Sequence, residues 1–189
     1  MLTVGHSTRS LEAFADLLRA HGIEQVVDVR TVPRSRRNPQ FNRETLPAAL
    51  AAYGIGYTHL PSLGGLRHPH ADSPNTAWRN LSFRGYADYM ATPEFAAGLD
   101  ALLALTQASR QHVAIMCAEA VPWRCHRSLI ADALLVRGVP VEDILSATRR
   151  QPHRLTPFAR VEGMRITYPA LSDAAPGAAA SPSPDDDTP

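Results

Sequence analysis

Five short runs rich in apolar and β-branched residues, LTVGH, QVVDVR, IGYTHL, HVAIMC and VEDIL, alternate with stretches whose apolar residues recur at helical spacing. Strands that alternate with helices are joined by crossovers, so the pattern restricts the chain to a mainly parallel sheet with helices on both faces, an α/β fold. The runs predict strands over 2–6, 25–30, 55–60, 112–117 and 141–145. Between the first two, Ser10 is placed to cap a helix carrying Leu11, Phe14, Leu17 and Leu18, and Gly22 ends it. Asn42 is placed to cap a helix over 43–53, closed by Gly54. Two helices are expected after residue 80, the second opened by Thr92, Pro93 and Glu94: a capping hydroxyl, a proline in the first turn and an acid beside it. A last helix is expected over 125–137, with a small ribbon within 155–168.

Residues 61–80 hold Gly64, Gly65, Pro69 and Pro74 and read as a long loop, a feature that inside a compact fold is often functional. From Ala170 onward Ala, Pro, Ser and Asp dominate. Residues 1–169 are therefore expected to form a single domain, and 170–189 a disordered tail.

Composition narrows the setting. No stretch approaches the roughly 18 apolar residues that span a bilayer, so no membrane contact is expected. The first residues lack a basic segment followed by an apolar run, so no signal peptide is expected. Two cysteines are too few for a secreted disulfide scaffold and point to a reducing, cytoplasmic setting. The net charge is +1, but Asp173, Asp185, Asp186 and Asp187 all lie in the tail; without those four acids the body stands at +5. All 19 Lys and Arg positions are Arg. Codon bias in a GC-rich genome and anion recognition by guanidinium forks both account for that. Position has to decide.

In open parallel sheets ligands bind beyond the carboxyl ends of the strands. His6 and Ser7 leave the first strand; Asp28, Arg30 and then Arg34, Arg36 and Arg37 leave the second. His59 and the loop bearing Arg67 follow the third, and Cys117 and Glu119 the fourth. The stretch CAEAVPWRCHRS holds both thiols. A helix beginning near Cys125 puts that thiol at the positive end of the helix dipole, beside Arg124 and Arg127, which favours a thiolate; Cys117, ending a buried strand, is expected to be the shielded one. Cys125 or Cys117 is the candidate nucleophile, with Glu119 or His126 as its proton-transfer partner. The candidate binding residues are His6, Ser7, Asp28, Arg30, Arg36, Arg67, Arg124 and Arg127. The same residues admit structural readings, Cys117 as a buried apolar residue and Glu119 as an ion-pair partner of Arg124 or Arg127. The cysteine-phosphatase loop is excluded, because Trp123 stands where its arginine is required. Cys117, Cys125 and His126 do not have the spacing of a structural zinc site, which leaves a metal completed by His59, His68 or His70 as the open alternative. The expectation is no metal and no cofactor.

TVGHSTRSLEAF, VDVRTVPRSRRNPQFN, HLPSLGGLR and CAEAVPWRCHRSLIADAL, in this order, resemble the domain of unknown function 488 family, from about Thr3 to Leu145. The resemblance implies a small bacterial or archaeal α/β protein and brings no assigned reaction or catalytic residue.

Three functions are in play. The first is an enzyme binding a phosphorylated or nucleotide-like anion in an Arg, His, Glu and Cys cleft, with hydrolysis or group transfer as the reaction. The second is a nucleic-acid module in which Arg34, Arg36, Arg37 and Arg43 meet phosphates while Phe41 and Trp78 stack on bases. The third is a non-catalytic interaction protein held by an Arg–Glu network. The sequence leaves the oligomeric state open.

Overall fold

The structure is a computed structural model that describes residues 1–109 and 112–170. Its main sheet has six strands: β1 (Leu2–Gly5), β2 (Gln25–Asp28), β3 (Gly56–His59), β4 (Val113–Cys117), β5 (Glu142–Ser146) and β6 (Arg149–Pro152). Their order is β3-β2-β4-β1-β5-β6. The first five run parallel, and β6 lies antiparallel to β5 at one edge. A separate antiparallel ribbon joins β7 (Arg160–Glu162) to β8 (Arg165–Thr167).

β4 shows why HVAIMC has no polar face. All five of its residues are buried, and alternate ones enter different cores. Ala114 and Met116 meet Val4, Phe14, Leu18, Leu46 and Leu50 on the face covered by α1 (Leu11–Ala20) and α2 (Leu46–Ala51). Val113, Ile115 and Cys117 meet Tyr86, Leu99, Leu102 and Leu129 on the face covered by α3 (Leu81–Tyr89), α4 (Pro93–Ser109) and α5 (Arg127–Val136). The period-two register of a strand thus feeds two helical layers. No helix among the described residues is long and apolar enough to cross a membrane.

Local expectations shift in four places. The helix expected over 43–53 is confined to Leu46–Ala51. A start at 43 would put Pro47 beyond the first turn, where its missing N–H breaks the ladder; Asn42 Oδ1 instead accepts Ser35 N–H at 2.6 Å and fastens the preceding loop. The last helix begins at Arg127, not Cys125, which follows a 3-10 turn over Pro122–Arg124 with an extended backbone, φ −131° and ψ 143°. β6 was not expected, because RRQP carries no apolar alternation. Ala170, expected in the tail, donates its N–H to Thr76 Oγ1 at 2.9 Å; the remainder of the tail lies outside the described residues.

The loop 61–80 is organised by the buried Asp88 of α3. Its carboxylate accepts His70 N–H at 2.9 Å, Ser73 Oγ–H at 2.6 Å and Asn75 Nδ2–H at 2.7 Å. Asn75 Oδ1 then accepts the N–H of Tyr168, just past β8.

A second buried cluster ties the sheet edge to α5. His153 Nε2 lies 2.9 Å from Asp132 Oδ1 and its Nδ1 lies 3.3 Å from Asp143 Oδ2. Both ring nitrogens face carboxylates, so both donate and the ring is an imidazolium. Burial opposes that charge, but the hydrogen bonds and attraction of Asp132 and Asp143 prevail and raise His153 to about 9 from an ordinary 6.5. Because the folded value lies above the unfolded one, the stabilisation is complete below 6.5 and is lost as pH rises through about 9. His153→Gln is expected to lower the unfolding free energy at pH 6 by about 3 kcal/mol. In urea titrations the gap from the unaltered chain should narrow as pH rises from 6.5 to about 9 and change no further above that. A gap that does not change with pH would mean the ring is neutral.

Candidate functional site

The carboxyl ends of β1, β2 and β4 open into a cavity of about 580 Å³. The chain leaving β1 is stitched to the chain leaving β4: His6 N–H donates to Cys117 O at 3.0 Å, and Ser7 N–H to Ala118 O at 2.9 Å. Ser7 takes a left-handed φ of 53°, the only non-glycine among the described residues to do so. Gly5 permits the close approach of the two segments. A Cβ there would stand 1.9 Å from Glu119 O and 2.7 Å from Ala120 Cα. From the other side, Arg127 Nη2 donates to the same Glu119 carbonyl at 2.6 Å, while its Nη1 donates to Thr3 Oγ1 at 2.9 Å.

One wall is a rigid guanidinium. Asp28 and Arg30 stand two apart on an extended segment and share a face. Asp28 takes Arg30 Nε–H at 2.9 Å and Nη2–H at 2.6 Å, with Tyr57 O–H on the same carboxylate at 2.7 Å. Arg30 Nη2 also donates to Phe41 O at 2.8 Å, and Nη1 reaches His6 Nε2 at 3.2 Å. His6 Nδ1 donates to Ser7 O at 2.7 Å, so Nε2 carries a lone pair and accepts from the arginine. Burial, reinforced by the neighbouring Arg30 and Arg127 charges and only partly opposed by the Ser7 bond, holds His6 down at about 4. It stacks on Phe41 with ring centroids 4.0 Å apart. His6 is therefore a neutral spacer.

The opposite wall is sulfur and imidazole. His126 Nε2–H donates to Val29 O at 3.1 Å, which leaves the Nδ1 lone pair facing Cys125 Sγ at 3.7 Å and Cys117 Sγ at 3.9 Å. Both cysteines are free, and both are buried, at 9% exposure for Cys117 and 4% for Cys125. Shielding therefore does not separate them as expected. Bonding does: the Cys117 thiol donates to Cys125, which with the nearby Arg127 charge lowers Cys125 against its burial, while that same bond and burial raise Cys117. The end of α5 is not the cause, since the helix starts two residues later. Gly65 closes on the imidazole so tightly that a Cβ would lie 2.5 Å from His126 Nδ1.

The cavity brings together His6, Ser7, Arg30, Cys117, Glu119, Arg124, Cys125 and His126. Asp28 and Arg127 stand behind its walls, buried and engaged as described. Two expected contacts are absent from it. Arg36 is exposed on the loop after β2 and does not line the cavity. Arg67 lies over the Tyr89 ring, 3.5 Å from its centroid, and donates to Gly64 O. Glu119 and the arginines also depart from expectation. Its carboxylate accepts Val121 N–H at 3.3 Å and forms no ion pair among the described residues, and Arg127 holds its carbonyl. Thr31, Asn38, Ser82 and Phe83 are among the lining residues that were not singled out in the sequence. The start of α3 supplies the last two, and nothing local in LSF marks them for it.

A family model described as Domain of unknown function DUF488 matches residues 10–134, most of the chain and all of the Cys117 to Arg127 segment. The chain belongs to that family. No curated protein and no solved structure matches it.

The crossing at Gly5 gives a direct test of how this edge is built. Gly5→Ala is expected to cost about 3 kcal/mol or more in urea unfolding, because the added carbon meets backbone rather than a movable side chain. A loss under about 1 kcal/mol would show that the 118–120 segment moves off β1 freely.

Proposed function

We propose that this DUF488 protein is a small enzyme that binds a phosphorylated or other anionic small molecule in the cavity at the strand ends and carries out hydrolysis or group transfer on it. The observation that carries this reading is Arg30. Its guanidinium is fixed on three sides by Asp28, Phe41 O and His6, borders the cavity, and keeps one Nη1 hydrogen free of any partner among the described residues. A cation held in advance binds an anion without reorganisation, which favours transition-state charge as well as ground-state charge. Arg124, exposed on the rim, supplies a second guanidinium with no partner among the described residues. Glu119 and the Cys117, Cys125 and His126 group border the same space and supply proton transfer and nucleophilic or metal chemistry.

The volume suits a small molecule rather than a polymer groove. The aromatics that a nucleic-acid module would use are committed elsewhere. Phe41 is fully buried against His6, and Trp78 packs on Phe83, Phe158 and Tyr168. A non-catalytic Arg–Glu network has lost its premise, since the Glu119 carboxylate pairs with neither Arg124 nor Arg127.

Thermal-shift titrations with inorganic phosphate, a nucleoside monophosphate, a sugar phosphate and a short oligonucleotide test the reading. A small phosphorylated ligand is expected to raise the melting temperature of the full chain. Arg124→Gln should weaken that ligand about tenfold, the loss of one charge-assisted contact, without changing the unliganded melting temperature. Glu119→Gln should bind it normally. Equal affinity in the chain and in Arg124→Gln would overturn the reading, as would a response to the oligonucleotide alone with steep salt dependence.

A further inference from the structure

Three potential ligand atoms converge on one wall of the cavity: Cys117 Sγ, Cys125 Sγ and His126 Nδ1 lie within 4.8 Å of one another. The contributing residues are eight and nine positions apart or adjacent, and the fold joins them. β4 delivers Cys117 to the cavity, and the 3-10 turn over Pro122–Arg124 brings the chain back so that Cys125 and His126 face it. The Sγ to Nδ1 separations are 3.9 Å and 3.7 Å. A tetrahedral zinc with Zn–S near 2.3 Å and Zn–N near 2.0 Å has S to N edges of about 3.5 Å. The gap is a few tenths of an ångström, within side-chain adjustment.

We propose that Cys117, Cys125 and His126 form a three-ligand site for a thiophilic divalent cation, zinc foremost, whose fourth position opens into the cavity beside Arg30 and Glu119. Three features support it besides the distances. His126 Nε2–H is spent on Val29 O, which fixes the tautomer with Nδ1 as donor atom, the arrangement that outer partners impose on metal-bound imidazoles. Two soft sulfurs and one imidazole select zinc over hard cations. Three protein ligands with an accessible fourth position are the pattern of a catalytic rather than a structural site. The spacing rule that excluded a closed four-ligand site from the sequence does not reach this one, and His59, His68 and His70 are not needed.

The inference assigns the chemical centre of the reading above and depends on it only for its role. The fourth position takes a water or a substrate oxygen, and the metal polarises it. Glu119 is the carboxylate on the same cavity available to accept its proton.

The test uses cobalt(II) and zinc(II) alone on the reduced full chain after treatment with chelator. The chain has only two cysteines, so a cobalt–thiolate charge-transfer band can arise only from Cys117 and Cys125. The band is expected to saturate at one equivalent, to vanish when zinc is added, and to be accompanied by visible bands of tetrahedral intensity. X-ray absorption of the zinc form should show two sulfur neighbours. Cys117→Ser and Cys125→Ser should each lose metal affinity at least about a hundredfold, and His126→Ala at least about tenfold, larger than or equal to the loss from removing an outer partner. If these variants fail to fold, the wild-type spectra still decide. No charge-transfer band, octahedral visible bands, or a zinc shell without sulfur would overturn the site. Repeating the phosphate thermal shift with chelator and with zinc separates the two readings. A ligand that binds in chelator while cobalt gives no thiolate band removes the metal alone; a cobalt site with no anion response under either condition removes the substrate reading alone.

Discussion

Arg127 is the largest side chain with under 2% exposure, and no carboxylate answers its charge among the described residues. A buried guanidinium ordinarily demands an anion. This one has a threonine hydroxyl and a peptide carbonyl, and its Nε–H meets no acceptor among the described residues, a deficit of about 1–3 kcal/mol. The arrangement holds because of what its two contacts connect. Glu119 O belongs to the segment that roofs the end of β1, and Thr3 belongs to β1 itself. Thr3 donates its own O–H to Asp143 at 2.7 Å, Asp143 faces His153, His153 faces Asp132, and Asp132 accepts Tyr168 O–H at 2.9 Å. One continuous polar path therefore runs from the cavity roof through the middle of the sheet to the residue after the C-terminal ribbon.

The two walls of the cavity divide the work between rigidity and reactivity. On the β2 side every contact fixes a charge: Asp28 and Phe41 O immobilise Arg30, and burial keeps His6 neutral. On the β4 side the contacts are long and soft, two sulfurs and a lone pair facing one another with Cys117 holding its proton. A static cation opposite a polarisable cluster is an arrangement in which one end of a molecule can be gripped while the other is transformed.

Much of this was legible in the sequence because strand periodicity and strand-end chemistry are local. HVAIMC has to be a fully buried strand, and that places Cys117 at its carboxyl end beside whatever leaves the neighbouring strands. Which arginine would matter was harder. Arg30 and Arg36 look alike in the chain, and they part company because Asp28 sits two residues before Arg30 on extended backbone, whereas Arg36 lies where the chain has turned to solvent. Asn42 misled for a related reason: the capping rule reads one residue at a time, and Pro47 overrules it from five positions away. β6 was invisible because RRQP is mostly exposed and joins β5 as an antiparallel edge strand without an apolar face of its own. The convergence of Cys125 with Cys117 depends on the turn at Pro122–Arg124, whose geometry no spacing rule encodes.

The strand order has a consequence for how the chain assembles. β1 lies between β4 and β5 in the finished sheet. A ribosome releases it more than a hundred residues ahead of either neighbour, since its register partners are Ala114 to Cys117 and Glu142 to Asp143. β2 and β3, by contrast, pair with each other across one 3-10 turn and one short α-helix. During synthesis an edge half can form early while LTVG waits unpaired, a β-rich segment with both edges open. Closing β1 into the sheet has to await β4, and with it wait the crossing at Gly5, the Arg127 contacts and the cavity itself. In a nascent chain, the site cannot exist until the first strand has met the fourth.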